Sequence, residues 1–378
     1  MCRYLYLLGQ STGSSDRQKW QARAKLASFG RVTNWKPGES GLPPCFFIVP
    51  PSANEQPVVT GSIRDCLLLV PDGRRLNLFE VPLGANALIP VKTDLYVPDT
   101  IPLAFTRTYV PQDEWAKRYK VYLPHVYDPY MTGSRRPYTY SDWLLADRQT
   151  IHYERISPGT GYADAIYEDT GFIPFFLGSR INWNGFGWDL SLEDGTTYLS
   201  PEAYNAQRPQ QGSLVGIFDK NGNEVRLLRA SNGDLEQIVS PGGRTINLQY
   251  DQGRVSSARD DSGNVVEYRY DTKNRVETVR YSNGPTVQYD YDSSGHIVAV
   301  SDIQAEFTLR NKYDSGGHLT EITLRDTGVY NFNYHAQGPD NSFNVDITGP
   351  DKKTIRVNMR IVDGKNYYTL QQKAHQSE

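Results

Sequence analysis

Chemistry in this chain would have to come from a few places. Cys2 follows the initiator methionine, the position of a nucleophile in enzymes that attack with an N-terminal thiol. The opening MCRYLYLLG has a faint likeness to the start of N-terminal-nucleophile amidotransferases, but such an enzyme needs a catalytic domain of its own. Asp142, Asp147 and Glu154 could supply the two carboxylates of a glycosidase, although no spacing singles out a pair. The stretch Asp260-Asp261-Ser262-Gly263-Asn264 is acidic like a calcium loop, yet it lacks the downstream glutamate and the alternation of ligands, so a solvated hairpin turn is expected. GESG at 38–41 lacks the spacing of a nucleophile elbow, and no CxxC, HExxH or phosphate-binding loop occurs. Catalytic residues, cofactor and metal are therefore all expected to be none.

Two aromatic groups offer binding rather than catalysis. Trp183 and Trp188 flank Phe186 in INWNGFGWDL, and Tyr127, Tyr130, Tyr138 and Tyr140 lie in HVYDPYMTGSRRPYTYSDW. With Asn and Asp nearby, Trp183, Trp188, Tyr138 and Tyr140 are candidates for stacking on sugar rings. The competing reading is a buried core in which Trp and Tyr find partners for their polar tips.

These side chains need elements to hold them. The chain has 378 residues, 40 Lys and Arg against 43 Asp and Glu, and a net charge of −3. Its pI is near 6.1 and its mean hydropathy −0.58. That balance carries no basic footprint for nucleic acid, and no apolar run is long enough for a membrane-spanning helix. There are 26 Tyr against 13 Phe and 3 Met, with 32 Gly, a composition suited to pleated, half-exposed strands. Cys2, Cys45 and Cys66 form an odd set, so at most one disulfide is possible. The first residues lack the apolar length and small-residue cleavage site of a signal peptide, so export would require an upstream start or another route. One short helix is expected at 16–28, and 41–57 reads as a Pro-rich extended segment. After about residue 60 the pattern is short alternating strands separated by turn residues, an all-β architecture.

The strongest signal is an internal repeat. Tyr250-Asp251, Tyr270-Asp271, Tyr291-Asp292 and Tyr313-Asp314 recur 20, 21 and 22 residues apart, with a degenerate copy at Tyr334-His335 after a further 21. Each of the first four is followed by a turn, then a basic and an aliphatic residue: Arg254-Val255, Arg275-Val276, His296-Ile297 and His318-Leu319. The histidines stand in arginine slots, and His335 in an aspartate slot, so polar turn roles are expected of them rather than metal ligation. A second turn falls about half-way through most copies. Phe218-Asp219 reads as a weaker upstream copy, and Asn232-Gly233-Asp234-Leu235 as a further one. Two strands and two tight turns fill one unit, so each repeat is a hairpin that must stack on its neighbours to bury enough surface. The alternation in Tyr268-Arg269-Tyr270 and Tyr289-Asp290-Tyr291 puts both tyrosines on one face and predicts a ladder of rings with hydroxyls at its edge.

The pattern YDxxGRV followed by YxYD resembles the YD repeat of Rhs (rearrangement hotspot) proteins and, more distantly, of teneurins. TDLYVPDTIPLAFTRTYV (93–110), the segment 135–168 and the segment 179–223 are similar to the Rhs domain of unknown function that precedes such repeats. The resemblance covers about 80–338. It implies an all-β fold, a β-rich N-terminal domain followed by a YD-repeat sheet of stacked hairpins forming part of a shell. It divides the chain into an irregular region at 1–80, an Rhs-type domain at 81–215, YD repeats at 216–338 and a C-terminal β extension at 339–378. The repeat-defining residues are Tyr250, Asp251, Arg254, Tyr270, Asp271, Arg275, Tyr291, Asp292, Tyr313 and Asp314.

What the resemblance implies for function is the scaffold of a secreted or cell-surface protein, associated with toxin delivery or intercellular competition and not itself an enzyme. Its partners would be further Rhs repeats and a C-terminal toxin encoded downstream. A carbohydrate-binding or adhesion module using glycans is the alternative, and an N-terminal amidotransferase-like enzyme a third. A closed shell needs more repeats than these, and no DPxG-type self-cleavage motif precedes Glu378, so encapsulation and autoproteolysis are not carried over.

Overall fold

The computed structural model describes residues 91–110, 123–146, 150–169, 176, 178–203, 206–302, 309–325, 328–335, 343–362 and 365–372, together with short strands upstream. Those are β1 (Cys45–Phe46), β2 (Val58–Thr60) and β3 (Cys66–Leu67). Cys45 and Cys66 are register partners in the parallel β1–β3 pair. Cys2, Asp147 and the helix expected at 16–28 lie outside the described residues.

Strands β4 (Val91–Val97) and β5 (Leu103–Thr108) form a separate antiparallel hairpin. The remaining strands make one continuous sheet. Its first part is β6 (Tyr130–Gly133), β7 (Tyr140–Leu144), β8 (Thr150–Arg155), β9 (Ile166–Asp169), β10 (Arg180–Trp183), β11 (Gly187–Ser191) and β12 (Thr197–Pro201). Next come β13 (Gly216–Phe218), β14 (Glu224–Arg229), β15 (Leu235–Val239), β16 (Thr245–Asp251), β17 (Arg254–Asp260), β18 (Val265–Tyr270), β19 (Val276–Tyr281), β20 (Thr286–Tyr291), β21 (Ile297–Asp302), β22 (Leu309–Tyr313), β23 (Leu319–Leu324) and β24 (Gly328–Tyr334). The run ends with β25 (Phe343–Thr348), β26 (Thr354–Val362) and β27 (Lys365–Gln372), the last of which also pairs with β2. Every strand from β6 onward pairs antiparallel with its successor, an up-and-down meander. Across the boundary expected at 215/216, β12 and β13 are hydrogen-bonded neighbours.

The turns explain the repeat's residue choice. At the Asp271 turn the Asp271 N–H donates to the Arg275 carbonyl at 2.9 Å, and the Asn274 N–H donates back to the Asp271 carbonyl at 3.0 Å. Asn274 sits at φ +62°, the left-handed region that favours Gly and Asn, and Gly295 and Gly317 hold the same place in the next two copies. The aspartate carboxylate caps the turn from inside: Asp271 Oδ1 accepts the N–H groups of Lys273 and Arg275, and Asp314 Oδ1 those of Gly316 and His318. The Tyr250-Asp251 copy is tighter, with only Gln252 (φ +50°) and Gly253 (φ +75°) between the strands, the two positive φ values of a type I′ turn.

A β-bulge accompanies each Tyr-Asp turn. Register shifts fall at Gln249/Tyr250, Arg269/Tyr270, Asp290/Tyr291 and Lys312/Tyr313, so Ser256, Glu277, Val298 and Thr320 are left without an opposite residue. A matching shift occurs at Leu228/Arg229. The pairs joined at the opposite edge, β15–β16, β17–β18 and β19–β20, run in unbroken register.

The meander also corrects one repeat assignment. Strand alternation places the turns beginning at Ala230, Asp251, Asp271, Asp292 and Asp314 on one edge, and those at Asp219, Ser240, Asp260 and Tyr281 on the other. Asn232-Gly233-Asp234-Leu235 is therefore the upstream copy, with Arg229 in the tyrosine slot. Phe218-Asp219 belongs to the second turn class: Asp219 accepts from the Asn223 backbone and side chain as Asp260 does from Asn264. In the Asp260 turn those bonds occupy both carboxylate oxygens, which is the hairpin reading of that acidic stretch.

Candidate functional site

Two structures hold the repeat sheet together, a ladder running from hairpin to hairpin and a clamp from the β4–β5 hairpin. In the ladder, each Tyr of a Tyr-Asp pair reaches back one unit. Tyr250 Oη donates to the Leu235 carbonyl (3.1 Å), Tyr270 to Val255 (2.7 Å), Tyr291 to Val276 (2.6 Å) and Tyr313 to Ile297 (3.0 Å). The acceptor is always the aliphatic residue that follows the preceding turn. The basic residue beside that aliphatic covers the ring: the Arg254 guanidinium lies 5.1 Å from the Tyr270 centroid and that of Arg275 4.3 Å from Tyr291. His296 stacks on Tyr313 at 4.6 Å, and His318 lies 5.2 Å from Tyr334. His296 and His318 also hold their own turn aspartates, at 2.8 Å and 3.0 Å, as Arg275 holds Asp271 at 2.6 Å. The hydroxyls do not line an exposed edge, as the strand alternation alone suggested. They turn inward onto carbonyls, and burial raises the pKa of Tyr250, Tyr270, Tyr291 and Tyr313.

The clamp centres on Asp94 of β4 and Arg107 of β5. Arg107 Nε donates to Asp94 Oδ2 at 2.7 Å, with 5% of the arginine side chain exposed and 0% of the aspartate. The same oxygen accepts the Tyr268 hydroxyl at 2.7 Å, and Asp94 Oδ1 accepts that of Tyr281 at 2.5 Å. Arg107 Nη2 donates to Tyr289 Oη at 2.7 Å. Burial works against the guanidinium charge, but Asp94 together with Tyr289, Tyr281 and Tyr268 outweighs this and holds the Arg107 pKa above its ordinary value. Tyr109 Oη donates to the Gly295 carbonyl, and Asp99 accepts the Ser240 hydroxyl and the Gly242 N–H (2.9 Å). Val97, Leu103 and Phe105 of the hairpin are fully buried in the same core. A second junction lies just after the hairpin. Arg229, in the slot where later copies have tyrosine, donates to the carbonyls of Leu214, Gly233 and Tyr127. It faces Asp128 at 3.8 Å, and His125 Nε2 lies 3.4 Å from the same carboxylate. Burial, followed by the Arg229 charge, keeps the His125 pKa low against the pull of Asp128. His125, Asp128, Arg229, Tyr250 and Arg254 line a small cavity of about 30 Å³, and the joint effect of these hydrogen bonds is to fix backbone to backbone.

Residues 190–308 match the family model for the teneurin YD-shell. The repeat region resembles the YD-shell family. Among solved structures, this chain is similar to a Photorhabdus luminescens Tc holotoxin pore, with 14% identity and a TM-score of 0.31, over 81% of this chain and 16% of that one. It is also similar to TcdB2-TccC3 without its hypervariable C-terminal region (14% identity, TM-score 0.33, 81% of this chain and 16% of that one) and to TcdB2-TccC3-Cdc42 (15%, 0.32, 80% and 16%). The chain thus spans 16% of the length of these relatives. No curated protein matches it.

Outside the repeats, the chain gathers the aromatics proposed for sugar stacking only in part. Trp188 is buried and donates its Nε1–H to Glu202 at 2.8 Å, a core role. Trp183 packs on it at 5.1 Å, and Tyr162, which the sequence reading did not single out, packs edge-on against Trp183 at 4.9 Å. Tyr138 lies 5.9 Å from Tyr162 and 6.2 Å from Trp188. Tyr140 belongs to another patch, 5.5 Å from the His152 ring. There Asp142 and Glu154 bracket His152 at 2.6 Å and 3.1 Å. The two carboxylates hold one imidazole between them. Among the described residues, no cluster of His, Cys, Asp and Glu has the makings of a metal site, and no helix is long and apolar enough to cross a membrane.

Proposed function

We propose that this chain is a length of shell wall that builds an enclosure for a toxin segment of the same or a neighbouring polypeptide, acting outside the producing cell and without catalysis of its own. The observation that carries this reading is the ladder. A tyrosine hydroxyl, a backbone carbonyl and a cation on the ring recur from one hairpin to the next, and that periodic linkage specifies an extensible wall rather than a site. The match of 190–308 to the YD-shell model supports it. The β4–β5 hairpin then serves as an internal brace that pins the first repeats.

The test is protease protection of the segment encoded downstream, expressed with this chain and its remaining repeats. A wall predicts that the segment survives digestion that destroys it when expressed alone, and that Tyr270→Ala with Tyr291→Ala abolishes the protection. Equal digestion rates with and without the repeats would end the enclosure reading. Fractionation of the producing cells tests the location, and retention of all the protein in the cytosol would refute it.

A further inference from the structure

The cavity at the start of the ladder carries more positive charge than its neighbours balance. Arg208, Arg229 and Arg254 line it, against the carboxylates of Asp128 and Asp234. Arg208 pairs with Asp234 at 3.1 Å, but Arg229 reaches Asp128 only at 3.8 Å. Arg254 donates to the amide oxygens of Asn274 (2.9 Å) and Gln252 (3.1 Å), and its contact with the exposed Asp251 is 4.0 Å long. Two polar side chains lining the same space each bury one atom without a hydrogen-bond partner among the described residues. They are His125 at Nδ1, on a side chain 3% exposed, and Gln210 at Oε1, on a residue 5% exposed. The imidazole is otherwise enclosed. Phe105 lies 5.1 Å and Tyr127 6.2 Å from its ring, Asp128 Oδ1 lies 3.4 Å from Nε2, and Arg229 and Tyr250 line the space beside it.

Orphaned polar atoms beside a polar cavity call for an occupant, and about 30 Å³ admits a particle near the size of one or two water molecules. With the Nε2 proton turned to Asp128, His125 Nδ1 is a lone pair, and a second proton makes it a donor. We propose that the cavity binds a small monovalent anion, chloride, taken up together with a proton on His125 and held by Nδ1–H and the guanidinium groups of Arg208, Arg229 and Arg254. Arg229 gives three of its N–H groups to the carbonyls of Leu214, Gly233 and Tyr127, and the remainder are available to the ion. A half-turn of the Gln210 amide brings its Nε2–H to the same place. Dehydrating the anion is costly, but the cation that receives it is already buried and under-compensated. Burial lowers the Arg229 pKa despite Asp128, Tyr250 and Asp234. The ion also offsets the repulsion that Arg229 exerts on a protonated His125. Occupancy fastens segment 123–128 to the hairpin where the ladder begins, with Arg229 in the tyrosine slot.

The experiment is thermal unfolding of the full chain at constant ionic strength, with sodium chloride exchanged stepwise for sodium gluconate or sodium sulfate. It is run at about pH 5.5 and about pH 8, on either side of the ordinary histidine value. The expected result is a saturable stabilisation that chloride gives, that the two larger anions do not, and that is stronger in acid. NMR titration should place the His125 pKa higher in chloride than in gluconate. The factor gained in proton affinity should equal the factor that acid adds to chloride affinity, because the coupling is reciprocal. Arg208→Gln removes a part-exposed charge and should weaken chloride about tenfold, the worth of one hydrogen bond to an ion. His125→Gln should abolish the pH dependence of the chloride effect. Crystals of the parent chain grown in bromide give a readout that needs no variant, an anomalous peak expected inside the cavity. Equal stabilisation by all three salts, a His125 pKa indifferent to chloride, or an ordered water in the cavity in the presence of bromide would each overturn the proposal.

Discussion

Arg107 and Asp94 face each other at 2.7 Å on neighbouring strands, sealed beneath the repeat sheet, and three tyrosines from three different repeat strands complete their hydrogen bonds. Removing one partner strands the other charge. Asp94→Ala is expected to cost about 3–5 kcal/mol, the usual penalty for breaking a buried pair. The double replacement Asp94→Leu with Arg107→Met should recover a large share of that loss. Urea unfolding of the two variants decides it, and equal destabilisation by both would show that the charges matter less than the cavity.

The ladder makes a smaller prediction that recurs. Tyr270→Phe deletes only the hydroxyl that the Val255 carbonyl accepts, with an expected loss of about 1–2 kcal/mol. Tyr291→Phe should do the same through Val276. The two share a hairpin neighbourhood, so a double-mutant cycle should show coupling rather than simple addition.

Two glycines with nearly the same backbone should answer differently to alanine. Gly263 has φ +90° and open space where a Cβ would project. Gly233, at φ +91°, would set its Cβ 2.5 Å from the Gln210 backbone carbon and the Gln211 nitrogen. Gly263→Ala is expected to cost about 1 kcal/mol from backbone strain alone. Gly233→Ala should cost clearly more, because the 3-10 turn at Pro209–Gly212 must shift. Thermal denaturation in parallel gives the order.

Two histidines should respond to acid with opposite sign. The folded pKa of His125 is depressed, chiefly by burial, so the unfolded chain takes up its proton first as pH falls below about 6.5. Stability at that junction therefore drops on acidification, and His125→Gln should flatten the loss. His152 has a raised pKa: burial opposes the charge, but Asp142 and Glu154 hydrogen bonds outweigh it. Its contribution is complete below pH 6.5 and fades as pH rises through the higher folded value. NMR titration of both imidazoles checks the directions, and Asp142→Asn should return His152 towards its ordinary pKa.

The sequence carried the repeat because its period is short and its turns use residues with few alternatives. Asp271 must cap a turn and Asn274 must sit at positive φ, so both leave a trace every 21 residues or so. The period could not say to which edge of the sheet a turn belonged, which is how Phe218-Asp219 was aligned with the wrong class. Nor could it find the clamp. Asp94 lies 174 and 187 positions from the tyrosines it serves, in a strand whose Thr and Leu alternation looks like any other. Trp183 and Tyr138 were visible as aromatic density. Tyr162, which packs with them, sits in a loop carrying Pro158, Gly159 and Gly161 that Arg155 holds in place, and a local reading takes such a stretch for plain connection.

The bulges have a geometric consequence for the wall as a whole. On one hem of the ribbon each of the four Tyr-Asp hairpins carries a surplus residue, Ser256, Glu277, Val298 or Thr320 in turn, while β15–β16, β17–β18 and β19–β20 on the other hem carry none. A strip with one hem longer than the other cannot lie flat, and each bulge adds its own increment of right-handed twist. Winding is thereby written into the unit itself. The number of units sets how far around the wall travels, so gaining or losing a single 21-residue copy changes the arc by a fixed step without altering the curvature of the rest.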